Sequence, residues 1–469
     1  MKRFLFIAIM ALFSIISFSQ VVKTVNITEN DNLEDLLGDE KYQIDSLVLK
    51  GYMRSSDFGV LRDCITAGVL SGIDMSECSV EGDSIPGKAF YDTYYTKFDY
   101  ITLPKNLKRI CKYAFYNNKI NNITLPQGLE RIEPSAFYVS GGNTENLVLP
   151  EGLTFLGESA FFTTKFKRIT LPSTLKEIPE YAFAFSTAEE VEFKEGLEKV
   201  GIAAFSSIAV KELVLPQSLV EMRPQSFAGC YYVEKLVLPA DLEVIPDYNF
   251  NQCYSLKQLV LPKNLKRIED ESFKTTGNLK ELILPEGLTH IGKEVFSDIP
   301  SLELIVLPST LEFLDEKSFD RSANNLKAVY SKSVVSPLSY FDTNTGVKDD
   351  YDFLPFKGLA DDAVLYIPVG STNNYNQRAY FKRFKTVKET ADFPTGIGAV
   401  ETVAAGCKVS GEKGAISIVP DGRTADYAVY RADGTMICSG RATDALRLQM
   451  PAGVYAVRAG GMTVKVIVR

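Results

Sequence analysis

The stretch LKQLVLPKNLKRIEDESF, residues 256–273, decides how the rest of the chain is read. Leu256, Leu259 and Leu261 lead into Pro262; Leu265 and Ile268 follow it, and Phe273 lies eleven residues on. The same phrase returns on both sides. It occurs as ITLP at 101–104 and 123–126, LVLP at 147–150, ITLP at 169–172 and VEFK at 191–194. It continues as LVLP at 213–216, 236–239 and 259–262, LILP at 282–285 and IVLP at 305–308. Successive spacings are 22, 24, 22, 22 and 22, then 23 residues four times. With the Pro (or Lys194) as origin, Leu always follows at three residues, from Leu107 to Leu311. Phe always follows at eleven: Phe115, Phe137, Phe161, Phe183, Phe205, Phe227, Phe250, Phe273, Phe296 and Phe319. Length varies only after that Phe.

The alternating residues before each Pro read as a short strand with one buried face. Proline cannot donate to a ladder, so it ends each strand at a fixed point. A turn-forming residue comes two positions later, for example Asn106, Gly128, Gly196 or Asp241. One unit is too small to bury its own apolar side and must stack on its neighbours. Ten such strands at ~4.8 Å make a parallel ladder of about 48 Å, with Leu, Ile and Phe as internal columns. The fold class expected is mainly β with short helices: a leucine-rich-repeat solenoid with a parallel strand ladder, plus a small C-terminal β-sandwich.

The unit L-x-x-L-x-L-P-x-x-L-x-x-I-x-x-x-A-F resembles the BspA-like leucine-rich repeats of bacterial surface proteins. Ala114-Phe115, Ala136-Phe137, Ala160-Phe161, Ala182-Phe183 and Ala204-Phe205 carry its Ala-Phe signature. Phe227-Ala-Gly-Cys230 is similar to the family's F-x-x-C segment, which implies a structural role for Cys230 and Cys253. The resemblance covers about residues 45–390. It implies secretion or surface display, and for several members adhesion to host proteins or cells.

Outward from the repeats, the ends read differently. Residues 1–19 have the grammar of a secretory signal peptide: Lys2 and Arg3, an uncharged run from Phe4 to Phe18, and small residues before Gln20. That run falls short of the ~20 residues needed to span a bilayer, and no later stretch is long and apolar enough. Residues 20–90 are expected to cap the solenoid, with a strand from Ser46 to Leu49 and a helix from Ser56 or Asp57 to about Ile65. Ile73 to Met75 would begin the ladder. The repeats occupy 91–325 and a closing cap 326–391, where Val364 to Ser371 and then Tyr375 to Lys385 resemble the family's strand and short helix. A linker at 392–399 precedes a β-sandwich at 400–469, with turns at Asp433-Gly434 and Gly460-Gly461. Gly453 to Arg458 and Val464 to Val468 resemble the C-terminal sorting domains of type IX secretion.

Composition limits the chemistry. The chain has no Trp, one His (His290) and seven Cys among 469 residues. A single His supplies no His-rich metal site, and CxxC spacings are absent. A net charge of −8 gives no affinity for phosphate backbones, so nucleic acid is not a partner. There is no G-x-S-x-G elbow, phosphate loop or HExxH, so the chain is read as a non-enzyme without cofactor. His290 falls at the repeat position of Arg109, Arg131 and Arg267 and is expected to be solvated. Asp342, Asn344, Gly346, Asp349, Asp350 and Asp352 form an oxygen-rich loop, but Gly346 sits one place early for an EF-hand. Pairing of Cys64 with Cys78, Cys230 with Cys253 and Cys407 with Cys438 is one reading; buried free thiols are the simpler one.

Interaction sites belong on outward positions of the repeat. Two residues before the Pro, Val214, Val237, Val260, Ile283 and Val306 form a β-branched stripe and a candidate protein-binding face. Five before it, Glu145, Lys167, Glu189, Lys211, Glu234 and Lys257 alternate in sign and read as a register-fixing ladder. Tyr94 and Tyr95 near the first cap, and Tyr231 and Tyr254 at equivalent repeat positions, are candidate aromatic patches. The expected function is an exported or cell-surface scaffold, adhesin-like, binding protein such as host surface or extracellular matrix. The alternative is a surface glycan-binding or glycan-handling protein.

Overall fold

Each Leu-Pro phrase becomes one coil of a β-solenoid. The computed structural model describes residues 20–394, apart from 97, 143–144, 340–353 and 379, and most of 402–468. The signal-like segment 1–19 and the acidic loop of Asp342 to Asp352 lie outside the described residues, as do the two predicted tail turns. The chain divides into two units between Phe393 and Pro394.

In the first unit three faces repeat. Short strands before the Pro pair in parallel and in register: Ile169 lies opposite Leu147 on one side and Val191 on the other. Two-residue strands after it, such as Arg267–Ile268, form a second ladder whose Ile or Val is buried. The third face is the Phe segment, which sequence periodicity did not reveal as a ladder. Ser135, Phe137 and Val139 donate their N–H groups to Glu158, Ala160 and Phe162 of the next coil at 2.8–2.9 Å. The chain turns there through two left-handed residues per coil, nine and thirteen after the Pro, as at Ser135 (φ 55°) and Val139 (φ 52°). The Phe between them is driven inward.

These phenylalanines stack into one continuous column from Phe90 to Phe356, with ring centroids 4.9–5.7 Å apart and planes within 18°. Such pairs contribute about 0.5–1.5 kcal/mol each beyond their burial. Between Phe and the turn, a small buried residue tucks beneath the preceding coil. Ser226 Oγ, for example, donates to Gly201 O at 3.1 Å and to Arg223 O at 2.5 Å.

Pairing in the strand ladder stops three times. Among the described residues no ladder pairing joins Asn122–Thr124 to Asn146–Val148, Glu190–Glu192 to Glu212–Val214, or Gln258–Val260 to Glu281–Ile283. The Phe ladder crosses all three seams: Phe137 to Ala160 at 2.8 Å, Phe205 to Ser226 at 2.8 Å and Phe273 to Val295 at 3.1 Å. The second ladder crosses them too, pairing Arg131–Ile132 with Phe155–Leu156, Lys199–Val200 with Glu221–Met222 and Arg267–Ile268 with His290–Ile291, so the coils stay joined on both other faces. The middle seam follows the coil in which Phe193-Lys194 replaces Leu-Pro, and Val191 and Phe193 there are only partly buried.

The ends differ in detail from expectation. The ladder begins well before Ile73, because Val22–Ile27 and Ser46–Met53 pair in parallel and the latter pairs with Gly72–Val80. The helix is Asp57–Thr66; Ser56 makes no side-chain cap, and Asp57 Oδ2 instead accepts from the N–H of Arg54 at 2.8 Å. At the other end Ala328–Ser331, Val364–Pro368 and Thr386–Thr390 extend the ladder. The helix expected across 375–385 is replaced by a short helix, Thr372–Tyr375, and a 3-10 turn, Phe381–Arg383. Tyr375 Oη anchors it, donating to Ser333 O and hydrogen-bonded to the Ser331 hydroxyl, both at 2.7 Å.

The second unit is a pair of antiparallel sheets. One orders Thr402–Ala404, Cys407–Glu412, Ala415–Pro420 and Leu446–Gln449; the other orders Met436–Ala442, Ala425–Arg431, Gly453–Ala459 and Met462–Val468. Val409, Ile416, Ile418, Val429 and Val457 from both sheets share one buried core. Thr402–Ala404 and Cys407–Glu412 were not anticipated from the sequence.

Candidate functional site

The stripe two residues before the Pro varies in exposure along its length. Val214 is 51% exposed and Val260 38%, while Val237 and Ile283 are half-buried. Val306 is a correction: it is fully buried, at 0% exposure. It lies in register between Ile283 and Tyr330. Tyr330 in turn stacks on Tyr366 at 4.4 Å, so bulky rings replace open surface at this end. The stripe is also cut by the seams, which separate Val260 from Ile283.

The named tyrosines fall into two pairs. Tyr231 and Tyr254 stack at 5.3 Å with planes 9° apart, each spending a ring face on the other. Tyr94 and Tyr95 meet edge to face at 5.2 Å, and Tyr95 is 93% exposed.

A larger aromatic surface escaped the sequence reading. Tyr91, Tyr116, Tyr138 and Phe162 stack in succession at 4.9, 5.1 and 4.7 Å, all half-buried. From Tyr116 onward this column sits one residue after the core Phe, hence on the outer side of the Phe ladder. Tyr113 packs edge-on to Tyr116 at 5.6 Å, and Phe185, 52% exposed, packs edge-on to Phe162 at 5.4 Å. The signal was an aromatic twelve residues after three successive Pro residues, masked by the invariant Phe beside it.

The middle seam opens a groove of about 1080 Å³. Its walls carry Glu189, Glu190, Glu192 and Glu212 against two cations, Arg168 and Lys211, with Tyr232 at its edge. Arg168 is committed to Glu190. Lys194 points elsewhere: its Nζ meets Glu151 Oε1 at 2.7 Å, two coils back, while Glu151 Oε2 takes Ser173 N–H and Oγ–H at 2.9 and 2.8 Å. These bonds hold the Glu151 carboxyl down to about 2. Lys332, Glu286 and Ser309 repeat the clamp near the far end, with Lys332 Nζ 3.1 Å from Glu286 Oε1.

The sign-alternating column forms ion pairs between neighbouring coils: Lys167 to Glu145 at 3.1 Å and Lys257 to Glu234 at 2.8 Å. His290 is a second correction. It is half-buried rather than solvated, and its ring lies on Phe313 at 5.0 Å with planes 3° apart. Phe313 sits opposite it in the next strand and gives the ring an apolar partner, as Phe155 does for Arg131. Six described cysteines are free, and burial pushes the Cys78 and Cys230 thiols up to about 12. Among the described residues no group of three His, Cys, Asp or Glu side chains is arranged to hold a metal ion.

The family model "BspA type Leucine rich repeat region" matches residues 83–210 and 198–327, more than half of the chain. The chain belongs to the BspA-type leucine-rich repeat family. Among solved structures it is similar to a leucine-rich repeat protein from Bacteroides ovatus, at 23% identity and a TM-score of 0.49, covering 79% of this chain and 92% of that one. It is also similar to the pneumococcal vaccine antigen PcpA, at 17% identity and a TM-score of 0.38, covering 80% and 90%. A leucine-rich cell surface protein from Faecalibacterium prausnitzii matches at 12% identity and a TM-score of 0.34, covering 81% and 92%. A comparison with curated proteins found no match. Within the BspA-type repeat, the small residue before Phe and the buried position three after it are explained by the hydrogen bonds above and below the Phe ladder.

Proposed function

We propose that this BspA-type chain is an exported, cell-surface scaffold that binds protein through the Phe side of its solenoid. The aromatic strip of Tyr91, Tyr116, Tyr138, Phe162 and Phe185 carries the reading. Contiguous, partly exposed aromatic surface marks protein contacts, where Tyr and Phe are enriched. Stacked rings offer a partner their edges, because their faces are already occupied by each other. That suits side-chain packing better than a sugar platform, which needs an open ring face.

Export is supported by the signal grammar of residues 1–19 and by the family. No helix among the described residues is long and apolar enough to cross a membrane. The two-sheet tail, similar in its terminal strands to type IX sorting domains, serves in this reading as the delivery module. A host surface or matrix protein is the partner class. The glycan alternative draws chiefly on Tyr95, whose ring is almost fully open, since Tyr231 and Tyr254 each give one face to the other.

The test is a screen of the secreted chain against matrix-protein and glycan arrays, with Tyr116→Ser/Phe185→Asn beside it. Saturable protein binding that drops by about tenfold in the double variant is expected, the loss of roughly two contact rings. Binding to glycans alone, or protein binding indifferent to the variant, defeats the proposal.

A further inference from the structure

We propose that the middle seam is a second site, which takes an extended, basic polypeptide segment as an added strand. It goes beyond the aromatic-strip reading and lies on the strand side of the solenoid. Glu190–Glu192 pairs with Arg168–Thr170 on one edge and, among the described residues, with no strand on the other. Glu212–Val214 pairs with Lys235–Val237 and is likewise open on its other edge. Two strand edges thus face one groove with backbone donors and acceptors that no ladder uses. Unpaired edges are templates for strand addition, in which main-chain hydrogen bonds give affinity and flanking side chains give specificity.

Charge selects the occupant. Four glutamates line the groove against two cations. Of those cations Arg168 is tied to Glu190, which leaves Lys211 against Glu189, Glu192 and Glu212, so the lining keeps an excess of negative charge; Lys194, outside the lining, is held by Glu151 at 2.7 Å. An incoming strand with Lys or Arg on alternate positions meets Glu192 and Glu212 on the outward face, beside Val214, while its other face turns inward toward Val191. Proline would have ended the strand at position 194; Lys194 leaves the backbone there able to donate. The partner chemistry is therefore an alternating basic and β-branched segment, not a folded surface.

The experiment uses the full chain and a fluorescent peptide of alternating Lys and Val, read by anisotropy. A second peptide carries the same side chains with alternate backbone nitrogens methylated, and a third replaces Lys by Glu. The first peptide is expected to bind and to slow amide exchange at 190–192 and 212–214. Backbone methylation and the Lys-to-Glu peptide each weaken binding at least about tenfold, since each removes several paired groups. Glu192→Lys/Glu212→Lys does the same, whereas Tyr116→Ser/Phe185→Asn has no effect, which separates this site from the strip. Equal binding of the methylated peptide overturns strand addition. Absence of binding by the first peptide, or binding without protection at the two edges, overturns the site while leaving the aromatic strip standing.

Discussion

Cys230 Sγ donates to the carbonyl oxygen of Phe205 in the preceding coil at 3.5 Å. Cys253 does the same to Phe227 at 3.9 Å. Fourteen residues after the Pro, this column elsewhere holds Ser140, which donates to Phe115 O, and Ser322, which donates to Phe296 O at 2.6 Å. Thr164 and Thr276 bond the Phe of their own coil at 2.9 Å. Cysteine here is a small buried donor to the Phe ladder. Cys230→Ser is accordingly expected to change stability by no more than about 1 kcal/mol, one ordinary hydrogen bond exchanged for another. Cys230 and Cys253 should resist alkylation in the native chain and react on denaturation, because burial raises both thiols. Rapid native alkylation detected by mass spectrometry would contradict this.

His290 offers a single clean titration. Burial and then the nearby Arg267 hold its imidazole below the ordinary 6.5, so the fold favours the neutral ring. Its contribution is complete above the unfolded value and is lost as pH falls through 6.5 toward the folded value. The imidazole resonance is unique in the chain, so NMR reads it directly. His290→Phe, which continues the Phe313 ring, should flatten the stability slope between about pH 7 and pH 5. An undiminished slope in that variant assigns it to other groups.

The repeat phrase made the strand ladder and the Phe column legible, because Pro262 and Phe273 mark fixed points of each coil. The second and third faces were less visible. Arg267–Ile268 is two residues long, too short for any period. The Phe ladder turns on non-glycine residues such as Gln225, Tyr248 and Lys317 at positive φ, which carry no sequence signal for a left-handed turn. The seams were invisible for a different reason: they depend on how neighbouring coils diverge, and only the change to Phe193-Lys194 hinted at one. Position in the repeat does not fix exposure at Val306 and His290, because Tyr330 and Phe313 in the adjoining strands cover them.

The Phe column predicts where the solenoid is most sensitive. Phe227 is buried between Phe205 and Phe250 at 5.4 and 5.7 Å, the first of these stacks spanning the middle seam. Phe227→Ala removes two stacking contacts and opens a cavity, expected to cost about 3–5 kcal/mol. Val214→Ala, on the open strand face, should cost under about 1 kcal/mol. Chemical denaturation of the two variants distinguishes them, and comparable losses would contradict the dominance of the Phe face.

The left-handed turns carry strain that can be moved between residues. Val139 holds φ at 52°, a conformation in which a β-branched side chain crowds its own backbone. Its N–H donates to Phe162 O at 2.8 Å, so the turn is fixed by the ladder whatever the side chain prefers. Asn117 occupies the same place one coil earlier at φ 49°, with a residue type that tolerates it. Val139→Asn should therefore stabilise the chain by about 1 kcal/mol, and Asn117→Val should destabilise it by a similar amount. Val139→Pro keeps neither the angle nor the donor and should cost more than about 3 kcal/mol. Urea midpoints of the three variants test the set. If Val139→Asn and Asn117→Val shift the midpoint in the same direction, backbone strain does not govern the turn and the side-chain contacts of Val139 do.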